Sequence, residues 1–260
     1  KIRYKKLSDI IHVVPIGDIH YGNAGCDEER LLKLIEWIRV TPNVRWVGMG
    51  DYADCIVTTD HKRFDAESIA DWVYEHKRLQ DVATAQIERL TKIFKPIAGS
   101  CLGFIYGNHE LEILKRHHTD LVRALCMSLG VENLGAEAMI RLAFEQSTST
   151  GSTGNRRSWT LHVEHGHGGG RRAGGKINVV GERDLGYDAD IFLMGHVHTK
   201  AVNIKHKIYL PALATGYDVD GTARLKPQVR KVLECLTGAF LKKHADGKEK
   251  KEKFERGSMS

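Results

Sequence analysis

Five short stretches hold residues that could do chemistry together: Gly17-Asp18-Ile19-His20, Gly50-Asp51-Tyr52-Ala53-Asp54, Gly107-Asn108-His109-Glu110, His165-Gly166-His167 and Gly195-His196-Val197-His198. Carboxylate and amide oxygens with neutral imidazole nitrogens suit hard to borderline divalent cations such as manganese, iron or zinc. No cysteine lies among them, which argues against a structural zinc site. Seven candidate ligands exceed what one ion takes. Two ions about 3.5 to 4 Å apart and sharing a carboxylate would use them all, leaving positions for water and a phosphate oxygen.

Each stretch follows a short apolar run, where a strand ends and a turn begins, so residues far apart in sequence can converge at one sheet edge. Ile10 to Ile16 reads as a buried strand delivering Asp18 and His20. Asp27 opens a helix, with Glu28 and Glu29 at the positive end of its dipole and Leu31, Leu34, Ile35 and Ile38 at helical spacing. Thr41-Pro42-Asn43 ends it. Val44 to Met49 reads as the second strand, delivering Asp51, so the unit is βαβ and the sheet parallel there.

The polar-apolar pattern from Asp65 to Phe94 predicts one or two helices, closed by Pro96 and Gly99. Leu102 to Tyr106 is the third strand, ending in Gly107-Asn108-His109, and residues 111–129 form one further helix. After Gly130 the composition shifts. Ile140 to Phe144 and Trp159 to Val163 read as strands of a second sheet, joined by the Ser/Thr/Gly-rich loop Gln146 to Asn155. Asp190 to Met194 leads into Gly195-His196-Val197-His198, and alternating stretches follow at Ala201 to Leu213 and Val232 to Phe240. With no repeats, residues 1–241 read as one α/β domain and residues 242–260 as a charged C-terminal segment.

A chain of 260 residues and 29.2 kDa can bury a sizeable core. It is 42% hydrophobic and 28% charged, and no apolar run nears the roughly 18 residues of a membrane span, so no membrane partner is expected. The net charge of +6 and pI near 9.0 favour a polyanionic partner only weakly. Much of the excess lies in residues 242–256, with seven Lys or Arg against four Asp or Glu. Five cysteines without CxxC spacing fit reduced thiols of a cytoplasmic protein, and Lys1 to Lys6 lack a following apolar stretch, so no signal peptide is visible.

In this order, over residues 17–198, the five motifs resemble the calcineurin-like metallophosphoesterase superfamily. The resemblance implies an α+β sandwich: two packed mixed sheets flanked by helices, with a dinuclear metal site at the shared edge. It implies Asp18, His20, Asp51 and His198 around one ion and Asp51, Asn108, His165 and His196 around the other, Asp51 bridging. Manganese is the expected metal, with iron, zinc, nickel or magnesium as alternatives. His167 is left as a neighbour of His165. By the same resemblance His109 faces the phosphoryl group and assists the leaving oxygen, and Asp54 orients His109. The implied reaction is attack on phosphorus by a hydroxide bridging the two ions. Relatives continue with a strand where this sequence stops, so the end at Ser260 reads as a truncation.

The substrate is read from what surrounds the ligands. Protein phosphatases of the superfamily carry Arg-Gly where this chain has Cys55-Ile56, so a bidentate clamp for a phosphomonoester is missing. The motif endings look closer to the nuclease and phosphodiesterase branches. After His167, the run Gly168 to Lys176 places Arg171, Arg172 and Lys176 where they could hold flanking phosphates of DNA or RNA, and Arg156 and Arg157 could extend the patch. The same run also reads as a flexible loop with solvated cations. It is further similar to metallophosphoesterases of phage and prophage origin. The expectation is hydrolysis of nucleic-acid phosphodiesters, with a Ser/Thr-type protein phosphatase or small-molecule phosphomonoesterase as the alternative, in a monomer or homodimer. His162, alternating with Glu164, reads as structural.

Overall fold

The structure is a computed structural model that describes residues 2–55, 68–75, 82–147, 153–168, 173–210, 216–217, 221, 223–224 and 226–242. The chain opens with β1 (Ile2–Tyr4) and β2 (His12–Ile16), then α1 (Glu28–Val40) and β3 (Val44–Gly48). Asp27 caps α1 by accepting the Arg30 N–H, as its position ahead of the apolar periodicity predicts. Short α2 (Asp71–Glu75) and α3 (Val82–Phe94) follow, and a 3₁₀ turn at Lys95–Ser100, with Pro96 in its first turn, leads into β4 (Cys101–Ile105).

The single helix expected over residues 111–129 is two. Helix α4 (Asn108–His117) ends at His118 in the left-handed region (φ 52°), and Asp120 caps α5 (Leu121–Leu129) by accepting the Arg123 N–H. An N-capping side chain inside an apparently continuous period restarts the helix and turns its axis.

Next come β5 (Asn133–Gly135), β6 (Glu137–Ser147) and β7 (Thr153–Glu164). The two long strands pair antiparallel and take up both ends of the predicted Gln146 to Asn155 loop, of which residues 148–152 lie outside the described residues. Helix α6 (Ala173–Gly186) begins inside the glycine-rich run. Strands β8 (Ile191–Met194), β9 (Lys200–Tyr209), β10 (Gly216–Tyr217), β11 (Ala223–Arg224) and β12 (Gln228–Thr237) complete the order.

Strands β2-β3-β4-β5 form a four-stranded sheet, parallel throughout. Strands β1-β6-β7-β8-β12-β9 form a six-stranded mixed sheet. Side-chain alternation gives each sheet two buried faces. Val44 and Trp46 pack with Leu31, Leu90, Phe94 and Leu125 under α1, α3 and α5. Val47, Leu161, Val163 and Leu193 fill the space between the sheets. Phe192, Met194 and Val232 pack under Val180 of α6. The protein is therefore an α/β sandwich with helices on both outer faces.

All five cysteines are free, and burial pushes the thiols of Cys26, Cys101 and Cys126 up to about 12, which keeps them unreactive. No described helix is long and apolar enough to cross a membrane.

Candidate metal centre

The carboxyl ends of β2, β3, β7 and β8, with the start of α4, meet at one edge and bring the predicted ligands together. Three groups of described residues offer ligand atoms within 4.8 Å of one another: Asp18, His20 and His198; Asp51, His165 and His196; and His20, Asp54 and His109, which shares His20 with the first. Asn108 joins the second group through Oδ1, which lies 2.9 Å from His165 Nε2 and 2.8 Å from His196 Nδ1. Asp51 Oδ2, in the second group, also faces the first, 3.2 Å from His165 Nε2 and 3.9 Å from His20 Nε2. Asp18, Asp51, His20 and His165 are buried.

The backbone delivers these residues at a cost. Asp18, His20, Asp51, His196 and His198 all have φ between 49° and 64°, a left-handed conformation that Asp and His tolerate better than most residues but that costs about 1–3 kcal/mol each. Gly50 answers a different constraint. A Cβ there would meet the Gly107 backbone and His165 Nδ1 at 2.6 to 2.7 Å, so only glycine lets the turns after β3 and β4 touch.

The histidine tautomers follow from their outer partners. Nδ1 of His165 lies 2.8 Å from the Met49 carbonyl, and Nδ1 of His20 lies 3.4 Å from Asp54 Oδ1. An acceptor at Nδ1 takes that N–H and leaves the Nε2 lone pair facing inward. His20 Nε2 and His198 Nε2 then sit 3.1 Å apart. Two inward lone pairs with buried carboxylates beside them are the donor set that a divalent cation takes, so the residues fit the expected metals as a class.

Asp54 departs from its expected role. Its carboxylate turns to His20 and is held by Asn23 Nδ2 at 3.2 Å, while His109 is oriented by the Asp54 main-chain carbonyl, 2.5 Å from Nδ1. The His20 and His109 rings are 4.7 Å apart, so one short segment positions both, by different atoms. His109 Nε2 faces Asp51 Oδ2 at 3.9 Å. Burial lowers the affinity of His109 for a proton, but the charges of Asp51 and Asp54 outweigh it and hold the ring above its ordinary 6.5.

Glu110, quoted in the third motif without a role, organises the turn after β3. Its carboxylate accepts the N–H groups of Asp51 (3.0 Å), Tyr52 (2.7 Å), Ala53 (3.2 Å) and Gly107 (3.2 Å). Burial and the Asp51 charge push it up to about 7, against those amide donors. Its place one turn inside α4, beside the metal-type residues, is the only sequence signal that marks it.

The proposed substrate cations are placed less centrally. Lys176 lies in α6 and donates to the Val197 carbonyl (3.0 Å) and Thr199 Oγ1 (2.6 Å), bracing the loop that carries His196 and His198. His167 is exposed and reaches Arg183, 3.4 Å away, which in turn pairs with Glu164 at 2.8 Å. Arg171 and Arg172 lie outside the described residues, as does Ile56, and the side chain of Arg156 is not described. His162 is buried against Tyr187, with ring centroids 4.3 Å apart, on the face toward α6.

One prediction concerns the metal-free protein. Burial would lower the His165 pKa, but its hydrogen bond to Asp51 and the charges of Asp51 and Asp18 raise it to about 10. A raised folded-state pKa stabilises fully below the unfolded value of about 6.5 and is lost as pH rises through the folded one. The urea midpoint of metal-stripped protein should fall from about pH 6.5 to about pH 10, and metal binding in that window should release protons, read with an indicator dye. A His165→Ala variant should lose both effects.

No family model matches the chain, and no curated protein matches it.

Proposed function

We propose that the chain is a dinuclear metallophosphoesterase of the calcineurin-like kind that its motifs resemble, hydrolysing phosphodiesters of nucleic acid. The observation that carries this reading is the meeting of two buried His/Asp groups at Asp51 Oδ2, with inward lone pairs set by Met49 and Asp54. When bound, two divalent ions, manganese foremost, would polarise phosphoryl oxygens and acidify water.

The chain's own residues supply the rest. Asp51 and Asn108 hold the two groups in register, and His20, His165, His196 and His198 present nitrogen donors from a rigid edge. His109, with Nδ1 tied to a carbonyl, keeps Nε2 free to carry a proton toward the leaving oxygen. Position 55 supports the diester reading. Its Cys55 is buried with its N–H on Gln86 Oε1 at 3.0 Å, so position 55 itself supplies no guanidinium to clamp a monoester dianion.

The test is a side-by-side assay of manganese-loaded protein on bis-p-nitrophenyl phosphate, p-nitrophenyl phosphate, and single- and double-stranded DNA. Cleavage of the diester and DNA is expected; cleavage of the monoester alone overturns the substrate class. His109→Ala should retain both metals by elemental analysis while turnover falls about 10²- to 10⁴-fold. An unchanged rate would remove His109 from the reaction.

A further inference from the structure

The sandwich has a second opening at the end opposite the metal-type residues. Along β7, Trp159, Leu161 and Val163 face the four-stranded sheet, and Arg157 follows the same alternation. Leu161 and Val163 are fully covered, whereas Trp159 is 51% exposed. The sheets have therefore parted by Trp159, midway along β7 and roughly 20 Å along the extended strand from His165.

A cavity of about 310 Å³ occupies the gap, within the lower range of small-ligand pockets. Its walls are aromatic and aliphatic: Phe144 packs edge-to-face on Trp159, centroids 5.8 Å apart, and Tyr4, Leu7, Ile11 and Val13 line the rest. Its charged rim is formed by Lys6, Asp9 and Arg157. Asp9 Oδ2 is taken by the Lys5 and Lys6 main-chain N–H groups at 2.8 and 3.1 Å, so it anchors the turn after β1. Arg157 is exposed and makes no ion pair with a described residue.

We propose that this cavity binds a free nucleoside monophosphate, with its base against Trp159 and its phosphate held by Arg157 and Lys6. An apolar, aromatic floor takes a planar ring at about 1–3 kcal/mol per stacked base in comparable sites. A guanidinium at the rim matches a phosphate in charge and in its two-pronged geometry. The site stands apart from the metal centre and does not depend on the reaction proposed for it.

Binding of adenosine 5′-monophosphate to the manganese-loaded protein, followed by tryptophan fluorescence and calorimetry, tests this, with adenosine and inorganic phosphate as separate probes. The monophosphate should bind saturably and more tightly than either fragment. Arg157, expected to extend the patch beside the ligands, stands instead at the opposite end of the sandwich, beside Lys6 and Ile11. Trp159→Leu and Arg157→Gln should therefore each raise Kd about tenfold or more, with hydrolysis of bis-p-nitrophenyl phosphate and the urea midpoint unchanged. Asp51→Asn should leave this binding intact. Binding that survives both cavity substitutions, or that disappears with Asp51→Asn, overturns the proposal. So does a Trp159-dependent affinity for oligonucleotides without any for the monophosphate.

Discussion

Asp51→Asn should lower diester hydrolysis about 10³-fold or more and reduce bound metal at both positions, because the residue belongs to the group of His165 and His196 and its Oδ2 also faces His20 of the other group. The substitution keeps the shape. Asp51 Oδ1 accepts the His109 N–H at 2.9 Å, and the Asn carbonyl can take over that bond, which turns its NH₂ toward His20 and His165. An amide NH₂ has no lone pair to offer a cation. The loss is thus of ligation and charge, with little cavity or strain.

Elemental analysis and the rate should move together. Full metal content with full activity would end the reading of Asp51 as a shared ligand. The same variant should also weaken the alkaline loss of stability in the metal-free protein, since the hydrogen bond and charge of Asp51, the leading influences that raise the His165 pKa against burial, are then gone while the Asp18 charge and the Met49 carbonyl remain.

Glu110→Ala should be the most destabilising single substitution at the site. It strands four buried N–H donors, three of them in the consecutive residues Asp51, Tyr52 and Ala53. Orphaned donors cost about 1–3 kcal/mol each when nothing replaces the acceptor. Local relaxation shares that penalty, so the net loss should be about 3–5 kcal/mol, the range for removing one partner of a buried charged network. That is a large fraction of the roughly 5–15 kcal/mol holding a domain folded.

Glu110→Gln keeps the length and one oxygen and should cost about half as much, its NH₂ now opposing a neighbouring N–H. Urea denaturation measures both. Because Asp51 is held in the left-handed region (φ 51°) by this same carboxylate, metal affinity should fall in parallel with stability. An alanine variant with an unchanged midpoint would show that the turn stands without Glu110.

Much of the scaffold is legible from local pattern. The Ile10 to Ile16 and Val44 to Met49 runs became β2 and β3, and Asp27 caps α1, because apolar runs, period 3.6 and capping residues act over a few neighbours. The residues that converge at the edge were likewise readable, since each sits just past a strand whose sheet partners leave it nowhere else to point. The split of residues 111–129 was less visible, because a cap inside a continuous apolar period carries no period of its own.

Everything that depends on atoms distant in the chain had to wait for tertiary structure. The Met49 carbonyl that sets the His165 tautomer is 116 residues away, and the Asp54 carbonyl that holds His109 is 55 away. A main-chain acceptor is the same in every residue type, so no letter of the sequence announces it. Glu110 was hidden for the same reason: its partners are amide groups. Lys176, read as a candidate substrate cation, is set by helix α6 against the Val197–Thr199 loop, a contact its place in the sequence does not announce. Residue identity therefore decides which groups can bind a metal or carry a proton, through side-chain chemistry and local period. Only packing decides which nitrogen faces inward, which carboxylate is shared and which one holds the turn, because those choices are made by backbone atoms brought close when the two sheets close on each other.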